Sequence, residues 1–245
     1  LSANPDAVIE QQPEYFSFGM RVLCKLCDGN IHLCTDASSD ILIKDMQQVK
    51  HTRFAGKHPV GLAGTHIHFL DPVSSSKTVW VINYQDVIAF GYLFLTGNIY
   101  SRRIISIAGP QVKAPRLVET ILGADLDELV RNELFEGESR VISGSVLSGR
   151  ESSGNFSYLG RYHNQISVIE EGRDRQILHF LRLGNNKHSA LPIFMSNFAK
   201  KLFNMTTSTN GSERAMVPVG GYEDVTVLDI LPAPLLKSLI VKDTE

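Results

Sequence analysis

Between His58 and Leu70 the chain reads HPVGLAGTHIHFL, a stretch holding one proline, two glycines and three histidines before it turns apolar. A plain core strand does not have this composition. Glycine weakens a strand or helix interior, and proline fixes its own φ. The segment must therefore shape a tight backbone corner or line a site. Pro59 can open a helix that runs weakly through Gly61 and Gly64 to Leu70, where Asp71-Pro72 stops it. The geometry decides what His66 and His68 can do. On a strand they share one face and could share a metal; on a helix they diverge. No third ligand sits at a sensible spacing. The expectation is histidines satisfied by hydrogen bonds at a domain seam, with no metal site.

The flanking sequence alternates helix and strand. Asn4-Pro5 reads as a cap and a first-turn proline, and Ala7, Val8 and Ile9 begin a short helix. Pro13 starts a second helix, with Phe16, Met20, Leu23 and Leu26 on one face. Asp28-Gly29-Asn30 ends it, Ile31–Cys34 is a short strand, and Val49–Phe54 reads as another by composition. Thr78–Ile82 (TVWVI) is a strand by composition, and Gln85 opens a helix reaching Leu95. Tyr92–Thr96 is apolar but short, which suits a buried element. Such alternation favours an α/β layered domain with a partly parallel sheet.

From about Ser101 the pattern changes. Strands are expected at Arg103–Gly109, Arg116–Thr120 and Val141–Ser145, with a short helix from Asp125 to about Asn132. Asp125-Leu-Asp-Glu128 fits a capping box, Asp125 accepting from the first free amides and Glu128 reaching back. Small, tightly turned strands around one short helix suggest a β-grasp module. Glu151–Gly160 is a polar loop whose composition predicts mobility or a contact role. Gln165–Ile169 reads as a strand, Gln176–Leu183 as another, Pro192–Phe203 as a helix, and the leucines from Leu235 to Ile240 as a last helix. The domain reading is 1–101 α/β, 102–185 β-grasp, and 186–245 linker with the start of a helical region. Leu1 in first place, almost directly on a helix start, reads as an internal fragment of a longer protein.

The 245 residues are 43% hydrophobic and carry a formal charge of −2. That is enough chain for one large or several modest domains, and the whole surface gives no electrostatic lure for nucleic acid. Cys24, Cys27 and Cys34 are an odd set without a signal peptide, which reads as a reducing compartment and structural thiols. No run of eighteen apolar residues is present, so no segment is expected to span a bilayer.

Catalytic motifs are lacking. There is no Gly-x-Gly-x-x-Gly after a strand and no phosphate-binding Gly-x-x-x-x-Gly-Lys. Gly144–Arg150 is not the Gly-x-Ser-x-Gly elbow, so Ser145 with His163 is not read as hydrolytic machinery. The hydroxyl-rich run Asn204–Arg214 is read as structural before ligand-binding. No catalytic residue is assigned.

Particular blocks carry a family resemblance: HPVGLAGTHIHFLDPVS from His58, GPQVKAPRLVETILGADLDELV from Gly109, RVISGSVLSGR from Arg140, YLGRYHNQISVI from Tyr158, LFNMTTSTNGSERAMVPVGGYE from Leu202 and LDILPAPLL from Leu228. Together they resemble the A subunit of the bacterial sodium-translocating NADH:quinone oxidoreductase. The resemblance implies a peripheral, cytoplasm-facing member of a six-subunit inner-membrane complex that passes electrons from NADH to ubiquinone and exports sodium. It also implies that NADH, flavins and the iron–sulfur centre are handled by partner subunits. This chain would bind no cofactor of its own and, alone, would be inactive. The implied fold is a partial Rossmann-like domain followed by a β-grasp (ubiquitin-like, SLBB-type) domain, as in the flavin subunit of respiratory complex I. Ubiquinone is the candidate substrate. The residues assigned to it on chemistry alone are Gly61 and Gly64 as a glycine wall, His66 and His68 as hydrogen-bonding groups, and Phe69 and Trp80 as apolar contacts. The alternative is a purely structural assembly role, in which the chain grips its neighbours through Glu151–Gly160 and Thr206–Arg214.

Overall fold

A computed structural model describes residues 2–41, 46–173, 183–185, 187–188, 194–198, 202–209, 211, 215–217 and 220–243. The chain divides into two compact units. One is Pro5–Tyr100 with Glu213–Glu245, the other Ser101–Ser212 with Leu1–Asn4.

The first unit is a helix layer and a small parallel sheet. Its helices are α1 (Pro5–Gln11), α2 (Pro13–Leu26), α3 (Ala63–Leu70), α4 (Tyr84–Thr96) and α6 (Pro232–Val241). Strands β1 (Ile31–Asp36) and β2 (Val49–Phe54) pair in parallel, Ile31 opposite Val49 through Asp36 opposite Phe54. Helix α2 carries its apolar residues at helical spacing, and Phe16 and Met20 are buried with Val87 and Ile88 of α4.

Two glycines let α2 and α4 meet backbone to backbone. A Cβ on Gly19 would lie 2.0 Å from the Val87 carbonyl oxygen, and one on Gly91 would lie 1.8 Å from that of Tyr15. Tyr15 packs edge-on against Tyr92, with centroids 5.2 Å apart, and Gln12 Nε2 donates to the Tyr100 hydroxyl at 2.6 Å. Asn83 caps α4 by accepting from the Gln85 amide at 3.0 Å, and Gly97 closes it at φ 75°.

Two expectations fail in this unit. Thr78–Ile82 joins no sheet: composition favours a strand, but a strand also needs a partner, and among the described residues no other strand of the unit runs beside it. The apolar end of α4 is not buried either, with Leu93, Phe94 and Leu95 exposed.

The second unit is a mixed five-stranded sheet in the order β4-β3-β7-β5-β6. Strands β3 (Arg102–Ala108) and β4 (Arg116–Ile121) form an antiparallel hairpin. Strand β7 (Gln165–Glu170) pairs in parallel with β3 and antiparallel with β5 (Ser139–Ser143), and the short β6 (Arg150–Glu151) extends β5. Helix α5 (Leu126–Val130) crosses the sheet, with Leu126 and Val130 in a core of Ile105, Ile107, Val112, Leu159, Ile166 and Val168. This is the β-grasp arrangement, with element ends within two residues of the expected ones.

Asp125 caps α5 as anticipated, accepting from Asp127 N at 2.8 Å and Glu128 N at 3.2 Å; Glu128 makes no return bond. The Glu151–Gly160 loop is held in place. Arg150 Nη2 donates to the Tyr158 carbonyl at 2.9 Å, its guanidinium lies 5.2 Å from the Phe156 ring centroid, and Leu159 is buried. The expected strand at Gln176–Leu183 lies outside the described residues except for Leu183. Of the expected helix at Pro192–Phe203, the described part contains a 3-10 turn, Met195–Phe198.

Candidate functional site

The glycine–histidine segment folds as a turn followed by a helix. Val60 N donates to Lys57 O and Leu62 N to Pro59 O, both at 3.0 Å, so the first residues after Pro59 are spent in tight turns and α3 starts at Ala63. The buried Thr65 hydroxyl donates to the Pro59 carbonyl at 3.0 Å and ties the helix to the turn. Gly61 lies exposed in the turn and Gly64 in the first turn of the helix; a Cβ at either would meet open space. They form an open surface.

Because the segment is helical, His66 and His68 lie about 200° apart around the axis. His66 stacks on Phe54 of β2, with centroids 4.1 Å apart and planes 30° apart, while His68 meets the adjacent Phe69 edge-on at 5.0 Å. Phe69 is 55% exposed. Trp80 is 87% exposed and makes no ring contact with any of them. Of the six residues singled out, the fold thus pairs His68 with Phe69, gives His66 a different partner, and leaves Trp80 apart. Phe54 was missed in sequence because β2 and α3 are adjacent only once folded.

The Nε2 of His66 is buried and makes no hydrogen bond. Burial pushes its pKa below the ordinary histidine value, and the Val60 carbonyl only partly opposes this. A neutral ring carries one proton, so Nε2 is a donor or an acceptor according to the tautomer.

The second unit contains a serine–histidine pair, at Ser143 rather than Ser145. Ser143 Oγ lies 2.8 Å from His163 Nδ1 and accepts from the Gly160 amide at 3.0 Å. Ser143 is fully buried, so no substrate reaches its hydroxyl. The ring is walled in by backbone: a Cβ on Gly160 would fall 2.5 Å from His163 Nδ1, and one on Gly144 3.1 Å from its Cδ2. Burial and then the charge of Arg150 hold the His163 pKa low. The pair pins β5 to the Gly160 turn and is not a nucleophile with its base. Ser145 is spent on its own turn, accepting from Leu147 N and Ser148 N.

The remaining polar segments are also tied down. Thr207 Oγ1 donates to Glu171 Oε1 at 2.7 Å and accepts from Gly172 N at 2.9 Å, while Arg140 grips Glu171 with two bonds of 2.8 and 2.7 Å. Residues 210 and 212–214 of that run lie outside the described residues. Cys24, Cys27 and Cys34 are free thiols, and burial raises that of Cys34. Among the described residues no group of three or more His, Cys, Asp or Glu is arranged to hold a metal, and no helix is long and apolar enough to cross a membrane.

Comparison with known proteins gives two family matches. The NqrA second alpha/beta domain matches residues 1–99, and the NQRA C-terminal domain matches residues 104–154. Among curated relatives, the A subunit of the Na(+)-translocating NADH-quinone reductase from Marinomonas sp. (strain MWYL1) is 55% identical, that from Cellvibrio japonicus (strain Ueda107) 54%, and that from Pasteurella multocida (strain Pm70) 51%. Each alignment covers 100% of this chain and 55% of the relative, so the chain spans about half the length of the curated relatives it matches.

Proposed function

From the premise that this chain belongs to the NqrA family, the A subunits of Na(+)-translocating NADH-quinone reductases, we propose that it works within a peripheral component of a sodium-translocating NADH:quinone oxidoreductase, on the cytoplasmic face of the bacterial inner membrane. The observation that carries this reading is identity above half over the entire chain. Partner subunits of the complex hold the flavins and the iron–sulfur centre and oxidise NADH. This chain supplies a binding surface.

The ligand of that surface is the quinone. His66 Nε2 has no hydrogen-bond partner and is closed to solvent, so a quinone oxygen reaches it only when the side chains over it move. The Phe54 ring behind the imidazole and the exposed Phe69 supply flat apolar contact, and Gly61 and Gly64 keep the approach clear of side chains. His68, a helical half-turn away, is secondary, and Trp80 is left out of the site. In favour of the rival reading, an assembly role without ligand, stand the apolar side chains left in water at Phe69 and Val73.

Titration of the protein with a short-chain ubiquinol and the matching ubiquinone tests this, with NADH and FMN as controls. Saturable binding of the quinone or the quinol is expected, and His66→Ala should weaken it by about tenfold, the value of one hydrogen bond at a buried nitrogen. Unchanged affinity in His66→Ala removes the site. Absence of binding by either form leaves the assembly role.

A further inference from the structure

Thr78-Val79-Trp80-Val81-Ile82 has the composition of an interior strand and none of the surroundings of one. Four successive apolar residues, mostly β-branched, are typical of strands covered on both faces. Yet Trp80 is 87%, Val81 63% and Ile82 38% exposed. Val79 is half-buried, and neighbours along an extended segment point to opposite faces, so each face still carries exposed apolar surface. Among the described residues no backbone hydrogen bond reaches residues 78–82 from any other segment. The segment is nonetheless fixed at both ends. A bridge between Ser74 and Lys77 and the Lys77–Asp71 ion pair hold its start, and the Asn83 cap of α4 holds its end. The sheet of this unit is itself short, a parallel pair β1–β2 among the described residues. Parallel sheets are stable when extended and covered, and two strands are marginal.

We propose that Thr78–Ile82 is a docking strand that pairs with a β-strand from the polypeptide that the relatives carry beyond the stretch matched here. The occupant must be a strand. Five residues of unpaired amides and carbonyls would be costly to bury under a helix, which offers no backbone partners. It must also come with enough chain to cover two faces as well as an edge. A second copy of Thr78–Ile82 would pair along one edge and leave the faces bare. The relatives, of which this chain covers 55%, have the required length within one polypeptide. The docking strand is independent of the quinone reading.

Hydrogen–deuterium exchange resolved over residues 78–82 tests it on three samples: this 245-residue chain, a polypeptide of the relatives' full length containing it, and the purified complex. The expected result is rapid exchange in the first and exchange about 100-fold slower or more in the isolated full-length polypeptide. Val81→Pro should abolish that protection in the full-length polypeptide while leaving the stability of the 245-residue chain unchanged, because there the Val81 amide donates no backbone bond. Three results overturn the proposal. They are protection that appears only in the complex, which assigns the strand to a partner protein; protection of the 245-residue chain that grows with its concentration, which assigns it to a second copy; and rapid exchange throughout.

Discussion

Replacing Gly91 by alanine should destabilise the α2–α4 layer even though alanine is the better helix former. Propensity alone favours the substitution by about 1 kcal/mol. The added Cβ, however, would lie 1.8 Å from the Tyr15 carbonyl oxygen, 2.6 Å from its carbon and 2.9 Å from the Gly19 nitrogen. All three are backbone atoms of α2, so no side chain can swing away. To restore ordinary contact the helices must part by about 1.5 Å, which forfeits half or more of the dispersion between the facing side chains. Phe16, Met20, Val87 and Ile88 then pack across a gap. Overpacking of this kind costs about 3 kcal/mol or more at its upper end. The net expectation is a loss of about 2 kcal/mol or more. Gly64→Ala in α3 is the matched control: its Cβ meets nothing within 4 Å, so it should be neutral or stabilising by up to about 1 kcal/mol. Urea unfolding followed by far-ultraviolet circular dichroism measures both. A Gly91→Ala protein as stable as the parent would refute the close backbone approach.

Other consequences are equally concrete. Ser143→Ala strands the Gly160 amide and His163 Nδ1 in a buried site and should cost about 1–3 kcal/mol in denaturant unfolding; a change below about 0.5 kcal/mol would show that the hydroxyl pins nothing. The lowered pKa of half-buried His163 makes stability pH-dependent. As pH falls below the ordinary value of 6.5 the unfolded chain takes up a proton that the folded ring refuses, so stability is present above 6.5 and is lost on descent to the folded pKa. His66 adds to the same slope, and His163→Gln should flatten the curve of melting temperature against pH. Asp125→Ala should cost about 1 kcal/mol through loss of its cap bonds to the α5 amides, whereas Glu128→Ala, which removes no cap bond, should not register in the same melts.

Local structure was legible where local chemistry decides it. Prolines 5 and 13, the Asp125 cap and the short apolar runs of β3, β5 and β7 place their elements within a residue or two. The α/β and β-grasp classes follow from the order of those elements. What depends on folded neighbours was not legible. Gly19 and Gly91 stand as isolated glycines inside helical patterns, a signal of close packing, but their partners Val87 and Tyr15 are far off in sequence. Ser143 and His163 are 20 residues apart, and nothing near Ser143 marks it over Ser145. Thr78–Ile82 shows the limit most clearly. Its composition states that it belongs in a sheet, and composition cannot supply the strand beside it.

His66 shows how the candidate site depends on the same non-local placement. In sequence, a histidine beside glycines can be donor, acceptor or metal ligand. The turn from Lys57 to Leu62 sets where α3 begins, and the parallel pairing of β2 with β1 positions Phe54 against the ring face. Burial lowers the pKa of the ring and leaves Nε2 without a partner. A neutral imidazole donates or accepts at Nε2 according to its tautomer, so the ratio of quinone to quinol affinity reports where the proton sits: tighter quinone binding means Nε2–H, and tighter quinol binding means a bare Nε2.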